Sequence, residues 1–248
     1  MSRSLPAVET YWLGRRPYRA VWALQRALVA QVLAGERPSC LLLLEHPHVY
    51  TMGRRAVTDH LLWGEAERER RGVEVVWCDR GGDVTYHGPG QLVGYPILDL
   101  PALGSDIMHF LRALERSLVH YLAGCGIASA PGEKGKTGVW TEQGKIAAIG
   151  VHLNQRRVTN HGFALNLETD LDYFGGIVPC GLDDTRVTSV RALTGATRST
   201  ESAARDYSRH FASEFGVETA WRGAQRLAGL EASAPPEPQP TPLLVLPG

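Results

Sequence analysis

The chain has 248 residues, with 26 basic and 26 acidic side chains, and so carries no net charge at neutral pH. Without a basic excess it does not read as a nucleic-acid binder, and no apolar run approaches the length of a membrane span. Its four cysteines, Cys40, Cys78, Cys125 and Cys180, fit no zinc or CxxC spacing, and the N-terminus lacks an apolar signal core; together these point to a cytoplasmic chain with free thiols.

In chain order, residues 17–35 set Val21, Leu24, Leu28 and Val32 at helical spacing, with Gly35 as the stop. The run CLLLLEH at 40–46 reads as a short buried strand, and 46–55 turns at Pro47 and returns as another. A helix is expected over 58–72, capped by Thr58 or Asp59. Residues 73–79 are rich in β-formers and lead into RGGDVTYHGPGQLVGYP at 80–96, with a strand over 92–100. The clearest helix is 105–126, where Ile107, Phe110, Leu111, Leu114, Leu118 and Leu122 form one apolar face between a Ser105 cap and Gly124. Residues 137–170 read as β-rich runs broken by hairpin connections at TEQG and NQRR.

A shorter helix follows from Thr185 to Leu193, then another over 201–216 with Ala203, Tyr207, Phe211 and Phe215 four apart. Beyond residue 230 the chain turns proline-rich, which predicts a flexible tail over 231–248 after a single domain spanning 1–230. Helices and hairpins alternate irregularly. The predicted fold class is α/β in the α+β sense: a mixed, largely antiparallel sheet with flanking helices.

Residues 80–96 hold five glycines and two prolines around a Tyr-His pair. Such a stretch serves where something approaches the backbone closely, or where the backbone takes shapes that side chains forbid. It is not a dinucleotide fingerprint: GPGQLVG has the wrong glycine spacing and no helix after it. His46, His48, His109 and His120 read as ordinary hydrogen-bonded or surface residues, and no histidine set has metal-ligand spacing.

Cys40, Cys78 and Cys125 sit in contexts that suit packing, whereas Cys180 lies in the loop-like GGIVPCGLDD, where a Pro-Cys-Gly corner leaves the sulfur approachable. A nucleophilic thiol must be ionised, and a nearby cation favours the thiolate. Lys145, in QGKIAAIG, is one of only three lysines, the others being Lys134 and Lys136. Unlike arginine, its amine can lose and regain a proton.

The motifs RGGDVTYHGPGQ (80–91), GKIAAIG (144–150), NHGFALN (160–166) and PCG (179–181), in this order, resemble those of the lipoyl(octanoyl) transferase family. The resemblance runs from about residue 10 to 220, with no departure at any motif position. It implies a fold like that of the biotin and lipoate protein ligases, and a Cys/Lys dyad on Cys180 and Lys145. It implies an acyl site formed by Arg80, Gly81, Gly82, Asp83, Val84, Thr85, Tyr86 and His87, by Ala148, Ile149 and Gly150, and by Gly162, Phe163 and Ala164. The glycines would let acyl chain and backbone pass closely, and His87 would hold the loop or assist proton movement.

The implied reaction, part of lipoate biosynthesis, moves an octanoyl group from octanoyl-acyl carrier protein to Cys180. It then passes to a lysine of a lipoyl domain, in 2-oxoacid dehydrogenases or the glycine cleavage H protein. No cofactor and no metal are implied, and neither nucleic acid nor membrane is a partner. Burying about seven methylenes would contribute on the order of 5 kcal/mol. The alternatives are an ATP-dependent lipoate- or biotin-type protein ligase, against which the PCG corner argues, and a non-catalytic binder of acyl carriers or lipoyl domains.

Overall fold

The computed structural model describes residues 5–133, 136–178 and 186–238. The chain starts with a strand, β1 (Ala7–Arg15), and a helix, α1 (Tyr18–Leu33); β2 (Cys40–Glu45) and β3 (Val49–Met52) follow. After α2 (Glu65–Arg70) come β4 (Glu74–Trp77), β5 (Val84–His87) and β6 (Gln91–Ile97). The long helix α3 (Ile107–Gly124) precedes β7 (Ala130–Pro131), β8 (Val139–Thr141), β9 (Gly144–Leu153) and β10 (Thr159–Asn166). Helices α4 (Val190–Thr194) and α5 (Thr200–Phe215) lead to β11 (Glu218–Arg222).

Eight strands form one sheet in the order β11-β1-β2-β6-β10-β9-β8-β7, and β4-β3-β5 form a second. Within the large sheet β1 runs parallel to β11 and β2, and every other pairing is antiparallel. This is the mixed, mainly antiparallel sheet that the irregular alternation of helices and hairpins predicts.

The unbroken apolar run of β2 follows from burial on both faces. Leu41 and Leu43 point into a core built with Phe110, Leu114 and Leu118 of α3 and Tyr207 and Phe211 of α5. Leu42 and Leu44 point the other way, onto Val21, Leu24 and Leu28 of α1. A strand with helices on both sides has no polar face to alternate with.

Several boundaries differ from the sequence expectation. No single helix spans 58–72: a 3-10 turn at Thr58–His60 is followed by α2, whose N-cap is Gly64. Between them the amides of Leu62 and Trp63 donate to Gly176 O, at 2.8 and 3.2 Å. The Trp63 ring packs near Tyr50 and Tyr173, so tertiary contacts override the local helical pattern. Asp106 rather than Ser105 caps α3, accepting from the His109 amide at 2.8 Å. Ser189 caps α4, which runs to Thr194; the start expected for that helix at Thr185 lies outside the described residues. The strands β1, β5 and β11 had no expected counterpart.

Of the expected tail, residues 231–238 are described. Leu230 packs beside the core that α1 covers. Arg26 Nε donates to Pro235 O at 3.0 Å, and Arg19 pairs with Glu237 at 3.6 Å. Residues 239–248 lie outside the described residues.

Close backbone approach between β10 and β6 fixes one glycine. A Cβ on Gly162 would stand 2.1 Å from Gly94 O and 2.6 Å from Pro96 Cδ. Gly162→Ala is expected to destabilise the protein by about 1–3 kcal/mol and lower Tm by several degrees. Thermal unfolding checks this, and an unchanged Tm would contradict the strand spacing.

Candidate active site

A cleft of about 1280 Å³ opens between the small-sheet side of the molecule and β9–β10 of the large sheet. One wall is the 80–87 segment, the opposite wall is built from Ala148, Ile149 and Gly150 of β9 with Gly162, Phe163 and Ala164 of β10, and Lys145 lines it as well. Antiparallel register sets Gly162 opposite Gly150 and Ala164 opposite Ala148, so the two motifs meet as neighbouring strands.

The glycine-rich segment is folded tightly. Gly81 N donates to Val151 O at 2.9 Å, tying the loop to β9. A Cβ on Gly150 would approach Gly81 O to 2.9 Å, so both glycines serve one close crossing. Gly88 has a different cause: a Cβ there would stand 1.8 Å from Tyr86 Oη. Arg80 is buried beneath the loop. Its Nε donates to Thr51 Oγ1 at 2.9 Å, its Nη1 to Gly81 O at 3.0 Å, and its Nη2 to Thr51 O.

Of the residues expected at the acyl site, Tyr86 is the one that does not line the cleft. It is fully buried, stacks on Tyr173 at 5.2 Å and donates toward or accepts from His48 Nδ1 at 2.8 Å, away from the cleft. Alternation along β5 turns its ring into the aromatic core of the small sheet.

Lys145 is the second residue of β9 and is 6% exposed. Its ammonium lies 5.3 Å from the Trp140 ring centroid, a cation–π contact. Gly138, at φ 125°, leaves it room, because a Cβ there would come within 2.8 Å of Lys145 Cε. The Lys145 backbone holds the 186–188 segment: its amide donates to Arg186 O at 2.8 Å, and its carbonyl accepts from Thr188 N at 3.0 Å. Cys180 lies outside the described residues. On its other flank, Val178 N donates to His60 O at 2.9 Å.

Comparison with known proteins decides the family. Residues 17–212 match the model of the lipoyl protein ligase A/B catalytic domain. An octanoyltransferase of Solibacter usitatus is 50% identical over 206 residues, covering 83% of this chain and 92% of that protein. The chain belongs to the lipoyl protein ligase A/B family. Another relative, an octanoyltransferase of Koribacter versatilis, is 46% identical over 214 residues, 84% of each chain. Among solved structures, a lipoate-protein ligase A bound with ATP superposes with a TM-score of 0.75 at 16% identity, covering 92% of this chain and 93% of that one. The ligase of an archaeal lipoylation system from Thermoplasma acidophilum, studied with its E2 lipoyl domain, gives 0.72 at 17% identity, covering 92% and 91%. At these identities the structural likeness shows the fold alone, and it is the lipoate ligase fold that the motifs imply.

The cleft of this lipoyl protein ligase A/B member also contains residues that sequence reasoning did not single out: Tyr18, Asp79, Tyr95 and His161. His161 Nε2 donates to Asp79 Oδ1 at 2.7 Å, and Trp22 Nε1 donates to the same oxygen at 3.1 Å. Burial pushes the Asp79 carboxyl up, but the hydrogen bond from His161 and the nearby His152 outweigh it and hold its pKa at about 2. His161 takes a left-handed backbone, φ 56°, in mid-strand, a strained shape that no motif reveals.

His87 Nδ1 donates to Gln91 Oε1 at 2.9 Å, and Gln91 Nε2 donates to Asn166 Oδ1 at 3.0 Å. Asn166 Nδ2 reaches Thr188 O at 3.0 Å. This chain of hydrogen bonds links the glycine-rich loop to the segment beside Lys145. Burial pushes His87 well below the ordinary imidazole range, so it is neutral.

His46 behaves similarly. Its Nδ1 donates to Arg16 O at 2.7 Å and its Nε2 accepts from Tyr95 Oη at 2.8 Å. Burial lowers its pKa from 6.5 to about 4. The unfolded chain therefore takes up a proton near pH 6.5 that the native state refuses. The neutral side chain imposes no penalty above that pH, and stability is lost as pH falls from 6.5 toward 4. His46 alone predicts a loss of about 2–4 kcal/mol across that window, with the same sign from His87 and His161. Urea unfolding at pH 7.5 and pH 4.5 measures it; equal stabilities would contradict the buried neutral imidazoles.

Proposed function

We propose that this acyltransferase moves an octanoyl group from octanoyl-acyl carrier protein to a lysine of a lipoyl domain, through a thioester on Cys180. The observation that carries the octanoyl transfer is about 50% identity to octanoyltransferases over most of the chain. The Cys180 step rests on the PCG motif and on Arg186, six residues farther along the sequence, whose carbonyl accepts from the Lys145 amide at 2.8 Å.

In the first step the Cys180 thiolate attacks the donor thioester, and the carrier thiol leaves with the proton that the Lys145 ammonium gives up, which leaves the Lys145 amine neutral. In the second the lysine amine attacks the Cys180 thioester, forming an amide. The amine proton passes to Lys145, and the Cys180 thiolate is released. Thioester exchange is nearly isoenergetic and aminolysis runs downhill, so the sequence of steps needs no ATP. The cleft's apolar contributions from Ala148, Ile149, Phe163 and Ala164 suit an alkyl chain.

The acceptors in this reading are lipoyl domains of 2-oxoacid dehydrogenases and the glycine cleavage H protein. Residues 1–230 form the catalytic domain, with 231–248 as an appended tail. The setting in this reading is the cytoplasm, because a thiol nucleophile suits a reducing compartment. The test supplies a lipoyl domain with either octanoyl-acyl carrier protein alone or octanoate with ATP. Amide formed from the carrier without ATP supports the reading; amide formed only with ATP assigns a ligase instead.

A further inference from the structure

The cleft rim carries two exposed arginines that no acidic side chain among the described residues compensates. Several surface arginines elsewhere meet acids, Arg15 with Glu45, Arg116 with Glu214, Arg198 with Asp206, and Arg205 with Glu201, whereas Arg16, Arg156, Arg157 and Arg186 are exposed without an acidic partner among the described residues but do not line the cleft. Arg54 and Arg55 line the cleft and are exposed. Neither guanidinium has an acidic partner among the described residues. The carboxylates lining the described cleft, Asp79 and Asp83, are already engaged by His161 and His60. Lys136, also exposed, lines the cleft, with Glu133 at 3.9 Å and the Trp140 ring centroid at 6.0 Å.

The loop that presents the two arginines is rigidly tied. Arg54 N donates to Arg80 O and Arg55 N to Gly82 O, both at 3.0 Å. A Cβ on Gly53 would stand 2.4 Å from Gly82 O, so this loop lies flush on the glycine-rich segment. Beside it, Val57 and Trp77 line the same cleft while 47% and 42% exposed, among the few large apolar side chains left in water. Arginine and tryptophan around an apolar patch, with charge left unneutralised, are the makings of a protein-docking surface for an acidic partner.

We propose that the Arg54–Arg55–Val57–Trp77 rim docks an acidic carrier domain while that domain's acyl thioester enters the cleft. This rests on the octanoyl-transfer reading and identifies the face that receives the donor. Docking at the rim explains why the cations stand in excess locally on a chain whose charges balance overall. Steering by such a rim acts on encounter, so it belongs to donor KM and weakens with salt.

The experiment measures transfer to a lipoyl domain from two donors, octanoyl-acyl carrier protein and the small thioester octanoyl-N-acetylcysteamine. The wild type is compared with Arg54→Glu/Arg55→Glu and with the milder Arg54→Gln/Arg55→Gln. The charge reversal is expected to raise carrier KM about tenfold or more, and the neutral pair about threefold. The preference for carrier over small thioester should shrink accordingly, and added salt should weaken the wild type more than either variant. An equal loss with both donors, an unchanged carrier KM in both variants, or a rise confined to the lipoyl-domain KM would overturn the docking proposal. Failure of the wild type to use either donor would remove the octanoyl-transfer reading itself, and this proposal with it.

Discussion

Cys180→Ala is expected to abolish octanoyl transfer, with a fall in kcat/KM of at least about a thousandfold. A free thiol titrates well above neutrality, so only a small fraction is thiolate unless a cation stabilises it. The other cysteines do not offer a substitute. Cys40 is fully buried, and burial pushes its thiol up to about 12. Cys78 is likewise raised by burial. Cys125 sits at the end of α3, packed beside the α3–α5 core and absent from the cleft wall. Steady-state transfer from octanoyl-acyl carrier protein checks this, with circular dichroism to show that the variant folds. Activity of the alanine variant within tenfold of wild type would remove Cys180 from the chemistry and return the chain to the ATP-dependent alternative.

The second large effect concerns Lys145→Arg, which keeps a positive charge but cannot surrender its proton near neutral pH. If the ammonium served only to stabilise the thiolate, arginine would restore much of the rate. As the proton acceptor in aminolysis it cannot be replaced, and a loss of about 10²–10⁴-fold is expected in the amide-forming step. Space argues the same way, because Gly138 already faces Lys145 Cε closely and the larger guanidinium would press on the Trp140 ring. Single-turnover kinetics separate the two steps: with solvent protonating the departing carrier thiolate, the variant should still load the octanoyl group onto the enzyme and then stall. Lys145→Arg with near-normal aminolysis would remove Lys145 from proton transfer.

Much of this architecture was legible wherever a pattern is local. The heptad-like face of α3, the spacing of Ala203, Tyr207 and Phe211 in α5, and the apolar run of β2 all report burial directly. What stayed hidden depends on partners far away in the chain. β1 pairs with β11 across some two hundred residues, Ala7 opposite Glu218, and neither strand announces its register. The segment 58–72 has helical composition, yet its backbone turns to meet Gly176.

At the site, the glycine-rich loop and the GKIAAIG and NHGFALN motifs come together as two walls of one cleft, with Tyr86 turned away from it. Asp79, Tyr18 and His161 escaped notice because their meaning lies in contacts among α1, the loop before β5 and β10. The reason Gly88 and Gly162 must be glycine is likewise visible only in space. One yields to a tyrosine ring and the other to a neighbouring strand.

Covalent loading is the central claim, and intact-protein mass spectrometry tests it most directly. After mixing with octanoyl-acyl carrier protein and no acceptor, the enzyme is predicted to gain the mass of one octanoyl group. Peptide mapping should place that group on residue 180, and adding a lipoyl domain should discharge it as the domain gains the same mass. Amide produced on the lipoyl domain while the enzyme never carries an octanoyl group, or carries it equally well as Cys180→Ala, would contradict the account.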